Sequence, residues 1–454
     1  MDRPEKSQEL ELEIKTLAFG GRGVARVDGF VFFVEGAVPG DRVRAVVTKA
    51  KPSYAEARTL EVLRPSSARI APACRHFGIC GGCSWQTLDY TVQLEHKQSQ
   101  VDDCLSRIGG LSGYETDAPL GATSLWRYRN KVEFTFAPGK GGVELGFHLP
   151  GQWRQVVDIE DCLLHSELTN HIRNRVRELA RESGLGAYGQ DSGGGYWRHL
   201  VLREAGTGEV MVNLVTGAGE FPRPAEFAAT LTAEFPQIAS LVWSVNDTRA
   251  SVATGFPFRV LAGRDHIREE ICGLQLRVSP SSFLQTNTAM AARLYQKALD
   301  YAAPRGGELV FDLYSGIGSI ALLFARHTAA VLGVEIVAEA TRQAVMNAEI
   351  NSLDNARFVT GKVRRVLKEL PVPRRPDLVI LDPPRAGASR KEIQRIVELS
   401  PPRIVYVSCN ASTMAANAAQ LAADGYRLLR VGAVDMFPHT PHIEVVALLE
   451  RFPE

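Results

Sequence analysis

Arg403-Ile-Val-Tyr-Val-Ser-Cys-Asn410 is the stretch whose reading decides the fold. Its first half is a compact apolar and β-branched run, the pattern of a buried strand. Ser408-Cys409-Asn410 then ends the run in small polar residues. Pro376-Asp-Leu-Val-Ile-Leu-Asp-Pro-Pro-Arg385 repeats the design, an apolar strand with a polar tip at Asp382. Downstream, His442-Ile-Glu444 leads into Val445-Val-Ala-Leu-Leu449. Open α/β sheets bind ligands outside the carboxyl ends of their strands. The repeat therefore predicts a thiol, Cys409, and two carboxylates, Asp382 and Glu444, on one rim. A cysteine in isolation reads as a small buried hydrophobe; at a strand end beside other polar tips it reads as chemistry.

Outward from that rim, the chain from Glu308 alternates strand and helix, the signature of a mostly parallel sheet. Glu308-Leu-Val-Phe-Asp-Leu313 is the first strand, and Tyr314-Ser-Gly-Ile-Gly-Ser319 is a glycine-rich turn before a helix. Ala330-Val-Leu-Gly-Val-Glu335 is the second strand, and its terminal acid lies 23 residues beyond Asp312. That is near the spacing at which a carboxylate takes a ribose hydroxyl. The turn has Gly316 and Gly318 but lacks the third glycine of the pyrophosphate fingerprint. A nucleoside smaller than a dinucleotide fits it, and S-adenosylmethionine (SAM) is such a molecule.

At 454 residues the chain should hold two to four domains. The net charge of +1 does not announce a polyanion partner, but residues 361–395 hold ten Lys/Arg, Arg374 among them, against four acids. This basic run surrounds Asp382, so its charge sits beside the expected site. No apolar run approaches the roughly 20 residues that span a bilayer. The charged N-terminus lacks a secretion core, so a cytoplasmic protein is expected. In a reducing compartment, its seven cysteines are free, metal-bound or catalytic.

Residues 1–66 read as a small β barrel, with strands at Leu10–Ile14, Phe30–Val34 and Asp41–Val47. Cys74-Arg-His-Phe-Gly-Ile-Cys80-Gly-Gly-Cys83 follows. Its glycines free the backbone to wrap thiolates round one centre. A fourth thiolate comes from Cys162 or Cys104, and four suit zinc or an iron–sulfur cluster alike. Residues 88–108 have helical periodicity, and this helix is expected to pack on the C-terminal sheet domain. Residues 67–275 as a whole mix strands and helices, including a hairpin across Gly139-Lys-Gly-Gly142 and a helix over 166–183. The sheet domain is expected over 276–454.

These motifs resemble known families. Gly20 to Ala25 and Phe33 to Asp41 resemble the TRAM domain, an OB-like RNA-binding barrel. Asp312-Leu-Tyr-Ser-Gly-Ile-Gly318, Asp382-Pro-Pro-Arg385, Ser408-Cys409-Asn410 and His442-Ile-Glu444, in that order, resemble the RNA uracil-5-methyltransferases. Phe283-Leu-Gln285-Thr-Asn287 looks like their substrate and cofactor segment. The resemblance implies an α/β, Rossmann-like SAM-dependent methyltransferase domain behind a central α+β domain carrying a 4Fe–4S cluster. It implies Cys74, Cys80, Cys83 and Cys162 as the cluster ligands, choosing iron–sulfur over zinc and Cys162 over Cys104. TRAM and cluster together most resemble the branch acting on 23S ribosomal RNA, with tRNA as the alternative substrate and a monomer expected.

The implied chemistry matches the residue types. Uracil C5 is a poor nucleophile until a thiolate adds to C6, and Cys409 is the expected nucleophile. Arg385 is positioned in sequence to favour its ionisation. Glu444 is the expected base for the C5 proton, and Asp382 is expected to fix the uracil edge or the thiol. By the resemblance, SAM falls to Gln285, Tyr314, Gly316, Gly318, Ser319, Glu335 and Asp382. The RNA falls to Phe283, Gln285, Arg127, Arg129 and Lys131, with Phe283 stacking on a flipped base. Ser315 and Ser319 stand where the family often has Cys and Asn, and Lys362 where an acid or amide is expected. Two other readings compete. A TRAM-bearing radical-SAM enzyme would want Cys-x3-Cys-x2-Cys, whereas the first gap here is five residues. A non-catalytic RNA-binding assembly factor would have no use for Cys409.

Overall fold

A computed structural model describes residues 3–139, 141–189, 192–369 and 375–452. Lys140 of the expected hairpin turn and Arg374 of the basic run lie outside them. Between Glu9 and Arg64, six strands form one sheet around a core of Leu12, Ile14, Phe32, Val34, Val43 and Val47. Along Arg42–Ala50 the alternation is plain, with Val43, Ala45 and Val47 inward and Arg42 and Arg44 outward.

A seven-stranded sheet runs from Lys131 to Gly263. The expected hairpin is there: Lys131–Gly139 pairs antiparallel with Gly142–Leu149, Gly139 opposite Gly142. Phe134, Phe136, Leu200, Leu202, Val212 and Leu214 turn one face onto the helices Glu167–Glu182 and Pro224–Glu234. Ser166 caps the first of these helices by accepting from the Thr169 amide.

The third unit is an eight-stranded sheet. Five strands are parallel, in the order Ala356–Thr360, Ala330–Glu335, Leu309–Leu313, Leu378–Leu381, Arg403–Ser408. The order reverses between Leu309–Leu313 and Leu378–Leu381, which makes the crevice beyond Leu313 and Leu381 the switch point where such sheets take ligands. The strand Glu444–Arg451 then inserts antiparallel between Arg403–Ser408 and Tyr426–Val434. This antiparallel strand brings its first residue, not its last, to the rim.

The chain order of the units is less simple than the sequence suggests. The expected helix spans Tyr90–Asp103 and continues as a wider turn over Cys104–Ile108. Val101, Cys104 and Leu105 from it are buried in the core of the eight-stranded sheet. Glu115–Thr116 joins the edge of that sheet beside Tyr426–Val434. Upstream of residue 276, the hairpin Ile267–Ile271/Leu274–Val278 turns through Cys272 and Gly273, both with positive φ, and buries Ile267, Ile271, Leu274 and Leu276 in the same unit. The seven-stranded unit is thus inserted between two parts of the catalytic unit.

Candidate active site

Cys409 follows directly on Arg403–Ser408, and the register pairs Ser408 with Val445. One step further along, Cys409 and Glu444 come level across neighbouring strands. Asn410 accepts from the Ser412 amide to cap the helix Ala411–Ala423. Its Nδ2 donates to the Arg385 carbonyl at 2.9 Å, and Thr413 Oγ1 donates to the same oxygen at 3.3 Å. The Asp382-Pro-Pro-Arg385 loop is thereby fastened to the helix that carries the thiol. Arg385 Nη2 lies 3.3 Å from His442 Nδ1, two residues before Glu444.

The electrostatics report one shared site. Burial pushes the Cys409 thiol up to about 11; Glu444 and Asp382 add to the push and Arg385 opposes it. Glu444, almost fully buried, is held well above the ordinary carboxylate range by burial, with Asp382 adding and Arg385 opposing. Burial raises Asp382 to about 7. A buried carboxyl of raised pKa is a stronger proton acceptor once ionised. The rim therefore brings together the three residues expected there, with Arg385, the expected cation, beside them.

Next to it lies an acidic cradle. Buried Asp312 has no side-chain hydrogen-bond partner, and burial raises the group to about 8, with Asp382 and Glu335 adding and the Ala321 backbone amide opposing. Glu335 accepts from the amides of Gly316 at 3.0 Å and Val337 at 2.8 Å. The turn needs its glycine at 318, where φ is +87° and a Cβ would stand 3.0 Å from Phe358. At Gly316 a Cβ would meet nothing, so space opens there. A buried carboxylate beside open space suits a ligand carrying positive charge. Ser319 Oγ bonds the Tyr295 hydroxyl at 3.2 Å, and Tyr314, at φ +72°, packs against the core beneath the rim. Gln285 is buried, its backbone carbonyl held by Asn130 Nδ2 at 3.2 Å, while Phe283 two residues earlier is 69% exposed. Asp312 entered the sequence reading as the first residue of the glycine-turn motif, without a role of its own; its burial is a tertiary fact.

Cys74, Cys80, Cys83 and Cys162 line one cavity of about 270 Å³. Burial and the neighbouring thiols raise Cys80 to about 11 and Cys83 to about 12. Cys104, the alternative, sits in the catalytic core instead. Among the described residues, no three His, Cys, Asp or Glu side chains converge closely enough to hold a metal ion. Arg127 braces the Cys162 loop, its Nη1 donating to Asp161 Oδ1, Cys162 O and His165 O at 3.0, 2.9 and 2.8 Å. Arg129 Nε donates to Lys131 O at 3.1 Å, and Lys131 Nζ pairs with Glu133 at 2.8 Å. These three basic side chains, expected at RNA phosphates, thus all have protein partners.

A switch-point crevice with a glycine turn and a strand-end acid is the arrangement of an α/β enzyme that takes a nucleoside-type ligand. Comparison with known proteins narrows the class. Residues 259–452 match the tRNA (uracil-5-)-methyltransferase family and residues 4–60 the TRAM domain. An "Uncharacterized RNA methyltransferase" of Bacteroides thetaiotaomicron is 39% identical over 456 residues, covering 96% of this chain and 100% of its own. One from Halalkalibacterium halodurans is 37% identical over 447 residues, covering 98% and 97%. The structure of the Pyrococcus abyssi tRNA (uracil-54, C5)-methyltransferase with S-adenosyl-L-homocysteine matches with TM-score 0.77 and 30% identity, over 97% of this chain and 100% of that one. The chain belongs to the RNA uracil-5-methyltransferase family, as a SAM-dependent RNA methyltransferase with an N-terminal TRAM domain. No helix among the described residues is long and apolar enough to cross a membrane.

Proposed function

We propose that this enzyme methylates C5 of a uridine in RNA, with 23S ribosomal RNA as its substrate. The observation that carries the chemistry is Cys409 level with Glu444 across adjacent strands, with Asp382 and Arg385 beside them. SAM supplies an electrophilic methyl group; Asp312, Glu335 and the Gly316–Gly318 turn would hold it, with Gln285, Tyr314, Ser319 and Asp382 at its border. Phe283, exposed at the edge, stacks on the flipped uracil. The Cys409 thiolate adds to C6, and the electron pair of the C5–C6 double bond moves so that C5 takes the methyl. Asp382 holds the uracil edge. Glu444 then removes the C5 proton, the double bond re-forms, and the thiolate leaves from C6.

The 23S assignment rests on the pairing of TRAM with the four-cysteine cavity. The full-length likeness to the Pyrococcus abyssi enzyme favours tRNA as a second reading. Mapping 5-methyluridine in RNA from cells with and without the gene tests both. Loss at a 23S position is expected; loss confined to tRNA would establish the second reading, and no loss in either would remove the activity.

Four thiols lining one cavity suit a 4Fe–4S cube, which spreads its ligands over separate irons. Four protein thiolates would close such a cluster, which fits a structural role better than radical chemistry. The protein should carry iron and acid-labile sulfide and absorb broadly in the visible. Cys83→Ser should lose both iron and absorbance, whereas Cys104→Ala should keep them; iron retained in Cys83→Ser would refute the assignment.

A further inference from the structure

The loop from Asp435 to Ile443, which ends at Glu444, is held by a helix more than three hundred residues away in sequence. Lys97 Nζ donates to Asp435 Oδ1 at 2.7 Å, and neither side chain has any solvent exposure. Lys97 Nζ also donates to the Phe437 carbonyl at 3.1 Å. Asp435 Oδ1 accepts from the Phe437 amide at 3.0 Å, and Oδ2 accepts from the Tyr90 hydroxyl at 3.0 Å. Gln93 Oε1 accepts from the His439 amide at 2.9 Å. Tyr90, Gln93 and Lys97 are spaced three and four apart, on one face of the helix Tyr90–Asp103. Residues 435, 437 and 439 of the loop are thus each gripped by that face. The amides of Ser84 and Trp85, just beyond Cys83, add two bonds to the His439 carbonyl at 3.0 and 2.9 Å. His439 itself has φ +64°, a left-handed conformation that a non-glycine residue holds only when its surroundings impose it.

A fully buried ion pair is a poor way to gain stability, because an apolar pair of similar volume often does as well or better. What it supplies is one geometry: the ammonium and the carboxylate must meet, and their remaining bonds fix the backbone at Asp435 and Phe437. The base at the end of this loop has to reach a proton on C5 of a base already bonded to Cys409. A misplacement of about 1 Å can cost such a step on the order of 10²-fold.

We infer that Tyr90, Lys97 and Asp435 are positioning residues, which set the Asp435–Ile443 loop and so aim the Glu444 carboxyl for proton removal. The inference rests on the proposed role of Glu444 as the base. The test uses the full-length protein in two forms, Tyr90→Phe and the apolar double variant Lys97→Met/Asp435→Leu. Each is read for thermal melting, SAM affinity, and the lifetime of the methyl-labelled protein–RNA adduct on denaturing gels with ordinary uridine RNA. We expect both to melt cooperatively and bind SAM as the parent does. The methylated adduct should persist at least about tenfold longer. Adduct turnover at the parent rate would overturn the inference. So would equal losses in SAM binding, adduct formation and turnover, the mark of general loosening. Glu444→Gln in parallel separates the two levels. If it accumulates adduct and neither positioning variant does, only this inference fails; if it turns adduct over normally, the base assignment fails first and takes the inference with it.

Discussion

Cys409→Ala is expected to lose methyl transfer by on the order of 10⁴-fold or more, with SAM binding intact. Without the thiol no adduct forms at C6, and C5 stays too electron-poor to attack the methyl. The acidic cradle of Asp312 and Glu335 lies on other strands, so cofactor affinity should not follow activity down. RNA substituted with 5-fluorouridine should trap the parent enzyme through Cys409, because fluorine cannot leave as a proton does; the variant should give no adduct. Full methylation by Cys409→Ala would end the proposed mechanism. The thiol also carries a pH signature. Pushed up to about 11 by burial and by Glu444 and Asp382, Cys409 should be alkylated faster as pH rises toward that value. Arg385 opposes the push, so Arg385→Met should displace the alkylation profile to still higher pH. Peptide mapping distinguishes Cys409 from the other thiols. A profile that Arg385→Met leaves in place would show that the guanidinium does not act on the sulfur.

Glu444→Gln is expected to slow turnover by about 10²- to 10⁴-fold while sparing the first covalent step. The amide keeps the volume and most of the polarity of the carboxyl but cannot take the C5 proton. Methylated RNA should therefore stay bonded to Cys409 and survive denaturation, a species that the parent enzyme clears. The near-total burial of Glu444 makes the expectation sharp, since bulk water reaches the site poorly as a substitute base. Elimination at the parent rate, with no adduct on the gel, would place the base elsewhere, with Asp382, whose charge acts on Glu444, as the next candidate.

Much of this site was legible in one dimension because each member sits at the end of an apolar strand. Asp382, Cys409 and Glu335 follow runs whose burial leaves their tips one place to go, the carboxyl edge of a parallel sheet. The glycine turn was legible for the same reason: only a tight strand–helix connection needs Gly318 at positive φ. The four cysteines proposed as cluster ligands came partly from spacing, three in ten residues, and partly from family resemblance, which picked Cys162; the folded chain gathers all four around one cavity. The roles given to Arg127, Arg129 and Lys131 were read from their charge and from the family resemblance. Charge does not say whether a cation faces phosphate or a protein acceptor, and here each has a protein acceptor.

The sequence by itself determined the strands and the order of the motifs, because periodicity and strand-end residues are local properties. Only the tertiary structure decided that Glu444 meets Cys409, since that depends on an antiparallel strand inserting beside Arg403–Ser408. It alone decided that Glu115–Thr116 joins the catalytic sheet and that Lys97 finds Asp435, whereas the packing of the 88–108 helix on that unit was already an expectation of the sequence. The physical reason is that pairing across strands or over hundreds of residues leaves no periodic trace, and a buried lysine reads in sequence like any exposed one.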